Sequence, residues 1–369
     1  MRRGGPAGTG APFSRRSAGR PGHRILGGVT LATDIRQGVL RALADLHVPG
    51  RAVDESVAAE LERFAHLMRD YPTRPGKTLR GQLLVWSARA NGAANGGAAM
   101  ILAEAIELFQ NWVLVHDDIE DDSEERRGLP ALHKQVGVPV ALNVGDAMHM
   151  LMWRRLSDLP DAPPVDKRAA LDEFTNMLLA TAAGQHLDLA WVSAGRFDVT
   201  ESEYLQMVTL KTAYYTVVAP LRLGAYCAGA TPPAALESAA VDLGVAFQIR
   251  DDILNLGPGE GYGKEVAGDL YEGKRTLILA HLLANLRPAE RKRVIGLLAR
   301  PRGAKTAAEM DEVLQLMRER GSLDHAQRVA EERAARGLEG VRAWLGRLPD
   351  QAAASRVAGL LGDLADRSA

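Results

Sequence analysis

Two long segments of the sequence are apolar on almost every side and then end in a pair of aspartates. The first runs from Ile101 to Asp117 and Asp118, and the second runs from Val241 to Asp251 and Asp252. A helix that is apolar all round belongs in the middle of a helical bundle. Each segment therefore carries two carboxylates into the interior or to the rim of a central cavity, where they are costly unless cations compensate them.

Helical spacing of apolar residues continues from about Asp34 to the end of the chain. Aromatic residues make up only 5% of the sequence, and alternating runs rich in Val, Ile and Thr are scarce, which favours helices over strands. Clusters of Pro and Gly interrupt the pattern at intervals and mark short connections. The sequence predicts an all-α fold, with residues 34–369 forming a single-domain bundle of roughly ten or more helices around a central cavity.

Residues 1–33 have a different composition. They contain six arginines and no acidic residue, are rich in Gly, Pro and Ser, and lack the apolar segment of a secretory signal. This composition is typical of a disordered extension, or of a start site assigned too far upstream. The alternative is a docking tail that directs the chain to a compartment or a partner.

Charge and cysteine content exclude several classes of protein. The formal net charge is -1, so the chain as a whole has no electrostatic bias toward nucleic acid or an anionic membrane. The single cysteine, Cys227, lies in an apolar stretch, where we expect it to be buried and structural, as suits a reducing cytoplasm. Even the apolar stretch from Val217 to Leu236 carries Arg222 and prolines, so we expect no membrane span.

The first acidic motif has the chemistry of a magnesium site. Asp117 and Asp121 are four residues apart and share one helical face. Carboxylate oxygens without His or Cys suit magnesium that also binds a substrate phosphate. Arg126 and Arg127 follow closely and suit the recognition of diphosphates. The alternative interpretation is a solvated acidic helix end.

Further basic residues fall where a phosphate ligand would need them. Lys77 and Arg80 lie three apart at a predicted helix start, where backbone amides also favour anions. Lys211 interrupts a long apolar segment, and Lys264 and Lys274 follow the second acid pair. Each alone is more often a surface residue, but together with the acid pairs they predict a diphosphate site.

In order and spacing, these motifs resemble the trans-isoprenyl (polyprenyl) diphosphate synthases of the short-chain, farnesyl or geranylgeranyl type. The resemblance is close from roughly Pro75 to Thr276. It is carried by four motifs: Leu114 to Ser123 with Arg126–Arg127–Gly128, Gly184 to Asp188, Lys211–Thr212, and Phe247 to Asn255. It implies the isoprenoid synthase helical bundle and the head-to-tail transfer of an allylic group to isopentenyl diphosphate.

The resemblance also implies a set of metal ligands. Asp117, Asp118 and Asp121 would ligate two magnesium ions, and Asp251 would ligate a third with the assistance of Asp252. The three ions would bridge to the allylic diphosphate.

The substrate contacts are implied in the same way. Arg126, Lys211, Gln248 and Lys264 would contact the allylic diphosphate, with Lys274 as a further cation. Lys77, Arg80 and Arg127 would hold the diphosphate of isopentenyl diphosphate. Gln110 stands where the family usually has histidine, although some farnesyl diphosphate synthases also have glutamine there.

By the same likeness, the Thr212 hydroxyl and the Lys211 carbonyl would stabilise the allylic cation. The departing diphosphate would remove the proton, so no basic side chain is assigned. The residues five and four positions before Asp117, Trp112 and Val113, would form the floor that limits chain length. Bulky floors accompany short products in the family, so we expect C15 to C20. The alternative is a core tryptophan packed elsewhere.

Two other functions compete with this interpretation. A terpene cyclase shares the first acidic motif but has an Asn/Ser/Glu-type second motif and no need for Lys77, Arg80 and Arg127. A catalytically silent regulatory subunit usually loses one acid motif, whereas both are complete here. The family resemblance also implies a homodimer.

Overall fold

The structure is a computed structural model that describes residues 30–44, 54–94, 96–257 and 267–366. These residues are almost entirely helical, which confirms the predicted all-α fold. The chain divides into two units, residues 1–30 and residues 31–369, and every element described below belongs to the second unit.

The α-helices of the described residues are, in chain order, α1 (Leu31–Ala44), α2 (Glu55–Thr73), α3 (Leu79–Ala90), α4 (Gly97–Glu120), α5 (Leu132–Val136), α6 (Val138–Ser157), α7 (Lys167–Ser193), α8 (Glu201–Val208), α9 (Ala219–Cys227), α10 (Ala234–Asn255), α11 (Gly268–Glu272), α12 (Leu277–Ala284), α13 (Pro288–Leu298), α14 (Ala307–Glu319), α15 (Ser322–Leu345) and α16 (Gln351–Ala365). A π-helix, Thr209–Val218, joins α8 to α9, and a 3-10 turn, Arg302–Ala304, precedes α14.

The two apolar segments are central helices, as their sequence predicts. The first is α4, which packs against α1, α3 and α6, and the second is α10, which packs against the π-helix and α15. Fully buried side chains such as Ile106, Leu108 and Ile249 lie on these two helices. Burial of a large apolar side chain contributes about 1.5–3 kcal/mol. These helices therefore hold their acidic ends rigidly within the bundle.

Among the described residues, one helix, α4 (Gly97–Glu120), is long and apolar enough to cross a membrane by length and composition. In the structure 72% of its most apolar window is buried inside the protein. The apolar surface of α4 is thus covered by protein. Cys227 is likewise buried, as expected, and burial raises the pKa of its thiol to about 12.

Two glycines allow close contact with the backbone of the π-helix. A Cβ atom on Gly184 of α7 would lie 2.2 Å from the backbone nitrogen of Lys211, and one on Gly244 of α10 would lie 2.4 Å from the Cα of Ala213. The π-helix is therefore packed tightly between α7, which it meets at Lys211, and α10, which it meets at Ala213. This form of helix is often found at functional sites. Pro220, which follows the π-helix at the start of α9, has no backbone N–H to donate.

A short hairpin follows the first acidic motif and was not predicted. Strand β1 (Glu125–Arg126) pairs antiparallel with β2 (Leu129–Pro130). The two turn residues, Arg127 and Gly128, both have positive φ, of 54° and 75°, as a two-residue hairpin turn requires. Arg74, which directly follows α2, fixes the hairpin by donating hydrogen bonds to the carbonyl groups of Arg126, Leu129 and Pro130.

The boundary of the helical unit lies three residues before the predicted one. Helix α1 begins at Leu31, so residues 31–33, which were assigned to the extension, are helical. Ile35 and Leu43 of α1 are fully buried. The rest of the predicted extension, residues 1–29, lies outside the described residues.

Candidate active site

The first acidic motif lies at the C-terminal end of α4, with its carboxylates in different environments. Asp118 is fully buried, whereas the Asp117 and Asp121 side chains are 17% and 8% exposed. Both oxygens of Asp118 accept hydrogen bonds from Arg126, and Oδ2 also accepts from the Tyr71 hydroxyl at 2.5 Å. The inner carboxylate of the motif, Asp118, therefore forms a buried ion pair with Arg126.

The second acidic motif lies at the C-terminal end of α10 and has a similar inner member. Asp252 is 6% exposed and accepts hydrogen bonds from the Tyr204 hydroxyl at 2.6 Å and from Gln248 Nε2 at 2.8 Å. Gln248 Oε1 in turn accepts from the Thr212 hydroxyl at 2.9 Å. Thr212, Gln248 and Asp252 were each predicted as site residues, and the structure joins them in one chain of hydrogen bonds.

Asp188 of α7 connects the two motifs. It accepts hydrogen bonds from Lys211 Nζ at 2.5 Å and from Lys274 Nζ at 3.1 Å. Lys211 Nζ also lies 3.6 Å from Asp117, and Lys274 donates to Asp121. Burial raises the pKa of Asp252, and the negative charges of Asp251 and Asp188 add to the increase. Acidic groups of α4 and α7 thus meet around two lysines, and Asp252 of α10 is near enough for the charge of Asp188 to act on it.

The pKa shifts follow from burial and from these partners. Burial would raise the pKa of Asp188, but Lys211 and Lys274 outweigh burial and lower it to about 2. Burial raises the pKa of Asp121 to about 7 despite Lys274, and Asp117 adds to the increase. Burial likewise raises the pKa of Asp252 to about 6, although its hydrogen bonds oppose this change. The cluster is therefore short of positive charge at Asp121 and Asp252.

An arginine-lined cleft of about 300 Å³ adjoins the first motif. Arg36, Arg74, Gly76, Asn111 and Arg127 are among its lining residues. Arg127 donates to the carbonyl of Tyr71 at 3.0 Å, and Arg36 donates to the carbonyl of Gly76. Arg127 thus lines the cleft together with Gly76, the neighbour of Lys77, and Arg36 and Arg74 lie there too, although no sequence pattern indicated them.

Glu107 also lines the arginine-lined cleft. Its side chain is buried and accepts a hydrogen bond from the backbone nitrogen of Gly81 at 2.9 Å. Burial raises the pKa of Glu107, and the nearby Arg80, Arg127 and Arg36 oppose that change. Burial outweighs the three arginines, so the net shift favours the protonated form of Glu107.

Lys77, Arg80 and Gln110 were also predicted to bind substrate, but they are not among the residues that line this cleft. Lys77 is exposed. Arg80 donates to the Thr216 hydroxyl at 3.0 Å and lies 4.3 Å above the Tyr215 ring. Gln110 is 8% exposed, and its Oε1 has no hydrogen-bond partner among the residues that the structure describes. Lys264 lies outside the described residues.

The predicted floor residues lie one to two turns before Asp117 on α4. Trp112 and Val113 are both half-buried. The Trp112 ring packs edge-on against Phe109, with centroids 5.6 Å apart, and Phe109 packs edge-on against Tyr215 of the π-helix at 5.5 Å. Trp112 therefore belongs to an aromatic cluster that extends from the π-helix into α4.

The residues of the site have the donor chemistry that magnesium prefers. All candidate ligands are carboxylates, and the raised pKa values of Asp121 and Asp252 show that additional positive charge would stabilise the ionised cluster. Within the described ranges, no three acidic or histidine side chains are already gathered as a metal site. Lys211, Lys274 and Arg126 instead contact the carboxylates.

Sequence reasoning missed Asp188, Tyr71 and Tyr204. Asp188 belongs to the motif Gly184 to Asp188, which carries the family resemblance, so its position was visible although no role was assigned. No sequence pattern indicated the two tyrosines as site residues, because each lies more than 45 residues from its aspartate along the chain.

Lysines beside partly buried carboxylates and a neighbouring arginine-lined cleft suit the binding of phosphate groups by an enzyme. The family model for polyprenyl synthetases matches residues 62–317. The chain therefore belongs to the polyprenyl synthetase family and is a prenyltransferase.

Relatives with assigned activities are similar over most of their length. The short chain isoprenyl diphosphate synthase of Methanothermobacter thermautotrophicus is 35% identical over 291 residues, which cover 78% of this chain and 85% of that protein. A geranylgeranyl diphosphate synthase of Sulfolobus acidocaldarius is 34% identical, over 70% of this chain and 78% of that protein. A geranylfarnesyl diphosphate synthase of Natronomonas pharaonis is also 34% identical, over 72% of each chain.

Solved structures have the same fold. Geranylgeranyl pyrophosphate synthetase from Pyrococcus horikoshii is 28% identical with a TM-score of 0.74, covering 90% of this chain and 95% of that one. A polyprenyl synthase from Caulobacter crescentus, crystallised with calcium and isoprenyl diphosphate, is 27% identical with a TM-score of 0.74. The alignment with the latter covers 92% of this chain and 96% of that one.

Proposed function

We propose that this enzyme joins isopentenyl diphosphate head-to-tail to an allylic diphosphate in the presence of magnesium and forms a trans prenyl diphosphate of 15 to 20 carbons. The observation that carries the proposal is the pairing of Lys211 and Lys274 with Asp188 and the first acidic motif, near Asp252 of the second motif and beside the arginine-lined cleft. Two neighbouring places for diphosphates suit a reaction between two diphosphate substrates.

The acidic cluster is proposed to hold the metal. Asp117, Asp121 and Asp251 are the ligands we favour for three magnesium ions, which would neutralise the allylic diphosphate and favour its departure. Asp118 was predicted to be a ligand too. Because it is fully buried with Arg126 and Tyr71, we now assign it to positioning Arg126. Asp252 retains its assisting role through Gln248 and Tyr204.

The basic residues divide between the two substrates. Lys211, Lys264 and Lys274, with Arg126 and Gln248, are proposed to contact the allylic diphosphate. Lys77, Arg80, Gln110 and Arg127 are proposed to contact isopentenyl diphosphate, now with Arg36 and Arg74 at the same cleft. Cations placed where negative charge develops stabilise the transition state more than the ground state.

The π-helix supplies the groups beside the reacting carbon. The Thr212 hydroxyl and the Lys211 carbonyl are proposed to stabilise the allylic cation, because they lie on the segment packed against Gly184 and Gly244. The hydrogen bond from Thr212 to Gln248 orients the hydroxyl oxygen relative to the second acidic motif. A rigid backbone at this point keeps these dipoles fixed during the reaction.

Product length is proposed to depend on Trp112 and Val113. Trp112 is the largest side chain on its helix, and its ring is packed against Phe109. A growing chain that passes along α4 away from Asp117 would meet this ring. We therefore favour farnesyl or geranylgeranyl diphosphate as the product.

Assembly and location are also proposals. Leu142, Met150 and Trp153 of α6 and Leu179 of α7 are large apolar side chains that are 40–68% exposed. Such surfaces mark interaction sites, and we propose that a second copy covers them in a homodimer. We place the enzyme in the cytoplasm, and a docking role for residues 1–33 stays a proposal.

One assay tests the reaction. Purified protein is incubated with magnesium, labelled isopentenyl diphosphate and C5, C10 or C15 allylic diphosphates, and the products are sized. We expect linear C15 to C20 diphosphates and no product without magnesium. Release of a cyclic hydrocarbon from farnesyl diphosphate, with no consumption of isopentenyl diphosphate, would replace the proposal with the cyclase alternative. A silent subunit would turn over neither substrate.

A further inference from the structure

Lys274 reaches the acidic cluster from the turn that ends α11. It follows Gly273, whose φ of 76° is left-handed and terminates the helix. The backbone nitrogen of Lys274 donates to the carbonyl of Asp269 at 2.9 Å, and this hydrogen bond closes the turn. The position of the Lys274 ammonium beside Asp121 and Asp188 therefore depends on where α11 and its last turn are held.

Lys305, which follows the 3-10 turn, binds the C-terminal end of α11. Its side chain is 8% exposed, and its Nζ donates to the carbonyl of Leu270 at 2.9 Å and to that of Tyr271 at 2.7 Å. The last carbonyl groups of a helix lack donors within the helix, and a cation there interacts favourably with the helix dipole. Burial and nearby arginines, Arg275 first among them, lower the pKa of Lys305 to about 8, so the ammonium is largely retained at neutral pH.

Arg275 ties the same turn to the end of α7. It is 4% exposed, and its guanidinium donates to the carbonyl of Gly273 and to the carbonyl of Arg196. Arg196 lies just after α7, the helix that carries Asp188. Arg275 therefore fixes the turn before Lys274 relative to the helix of its carboxylate partner.

Two buried cations beside one short helix are costly, because each loses its hydration and the two repel each other. Burial accordingly lowers the pKa of Arg275 to about 10. The hydrogen bonds of Lys305 to Leu270 and Tyr271, and those of Arg275, end on backbone carbonyl groups. These bonds fix the course of the chain around α11 rather than balance a carboxylate.

We propose that Lys305 and Arg275 are positioning residues for prenyl transfer, which hold the end of α11 so that Lys274 reaches the departing diphosphate. The inference rests on the proposed function, where Lys274 is assigned to the allylic diphosphate. Lys305 and Arg275 act on the backbone, and their effect passes through Lys274. Their loss lets the turn move and carries the ammonium away from the place where negative charge develops.

The test measures steady-state kinetics with magnesium, isopentenyl diphosphate and the C10 allylic diphosphate, each substrate being varied while the other is saturating. Lys305→Met removes the two donors and keeps an unbranched side chain. We expect its kcat/KM for the allylic diphosphate to fall about tenfold, equivalent to about 1.4 kcal/mol. Because the arginine-lined cleft is unchanged, we expect KM for isopentenyl diphosphate to change less than about twofold. Arg275→Gln should give the same difference between the two substrates.

Lys292→Met is the matched control, because Lys292 is an exposed lysine of α13. It should leave the kinetic constants for both substrates unchanged. Circular dichroism and thermal unfolding establish that each variant is folded. A merely structural role of Lys305 would lower the melting temperature and the amount of active enzyme, without a difference between the two substrates.

A double variant tests whether Lys305 acts through Lys274. Lys274→Ala removes the ammonium, so adding Lys305→Met should cause no further loss of kcat/KM for the allylic diphosphate. An equal loss from Lys305→Met in the presence and absence of Lys274 would overturn the inference.

The outcomes distinguish the two proposals. An unaltered enzyme that forms no prenyl diphosphate would overturn the proposed function. An active enzyme in which Lys274→Ala lowers kcat/KM for the allylic diphosphate, while Lys305→Met and Arg275→Gln do not, would overturn the inference alone. If Lys305→Met does not fold, Arg275→Gln, alone and combined with Lys274→Ala, decides the question.

Discussion

The phenolic hydroxyl of Tyr204 donates a 2.6 Å hydrogen bond to the buried carboxylate of Asp252. Tyr71 makes the corresponding bond to Asp118, so the second aspartate of each acidic pair is held by a buried tyrosine. The inner aspartates and their tyrosines anchor the ends of α4 and α10. The first aspartate of each pair, Asp117 or Asp251, is only partly buried, and it is the member proposed to bind metal.

Tyr204→Phe tests this anchor. The change keeps the ring but removes a donor from a buried carboxylate, so we expect the free energy of unfolding to fall by about 2 kcal/mol. Urea unfolding measures it. Tyr214→Phe is the matched control, because the Tyr214 hydroxyl donates to Glu237, whose carboxylate is 39% exposed and also pairs with Arg222. Equal losses in the two variants would contradict the anchoring role.

Gly244→Ala tests the close packing of the π-helix. A Cβ atom there would lie 2.4 Å from the Cα of Ala213, so the helix that carries Lys211 and Thr212 must move. We expect turnover to fall at least about tenfold, since small displacements at a reacting site are costly. Gly359→Ala in α16, where no heavy atom lies within 4 Å, is the control. It should keep full activity and gain up to about 1 kcal/mol of stability. Full activity in Gly244→Ala would contradict the prediction.

The raised pKa values of Asp121 and Asp252 predict how pH affects the metal-free enzyme. Their folded-state pKa values are about 7 and about 6, against 3.8 for an ordinary aspartate. Between pH 4 and 7 the folded state therefore binds more protons than the unfolded state, so stability falls as pH rises. Each pKa unit corresponds to about 1.4 kcal/mol.

Thermal unfolding with EDTA, and with magnesium and pyrophosphate, measures this dependence. We expect the melting temperature to fall between pH 5 and pH 7 in EDTA, and to fall less when magnesium and pyrophosphate are present, since metal favours the ionised carboxylates. A metal-free melting temperature that rises over this range would show that the acidic cluster is already compensated.

Trp112→Ala is expected to lengthen the product. Removal of the indole leaves a cavity at the proposed floor, so chains longer than C20 should increase at the expense of C15 and C20. Product sizing by chromatography measures the change. Because the diphosphate site is unaltered, we expect a similar rate of the first condensation. A distribution identical to that of the unaltered enzyme would refute the floor assignment.

Two deletions test the boundary of the catalytic unit. Removal of residues 1–29 should leave turnover intact, because α1 begins only at Leu31. Removal of residues 1–44 eliminates Arg36, which donates to Gly76, and the buried Ile35 and Leu43. We expect that longer deletion to lower both stability and turnover. A collapse in rate on the shorter deletion would show that the extension belongs to the fold.

The sequence alone determined the class of fold and the position of the acidic motifs along it. Apolar residues on every side of α4 and α10 require burial whichever helices surround them. That requirement is local, and it places Asp117 and Asp251 at the ends of central helices. The order of the motifs also indicated the family, the basic residues of the substrate site and Trp112 as the candidate floor for the growing chain.

Only the tertiary structure decided which side chains meet. Asp188 pairs with Lys211 and Lys274, Tyr204 reaches Asp252, and His149 packs on Trp112, in each case between different elements of the fold. Helical periodicity tells which face of a helix is buried but not which neighbour covers it. These partners depend on interhelical packing, which joins residues that are distant along the chain and leaves no local pattern in the sequence.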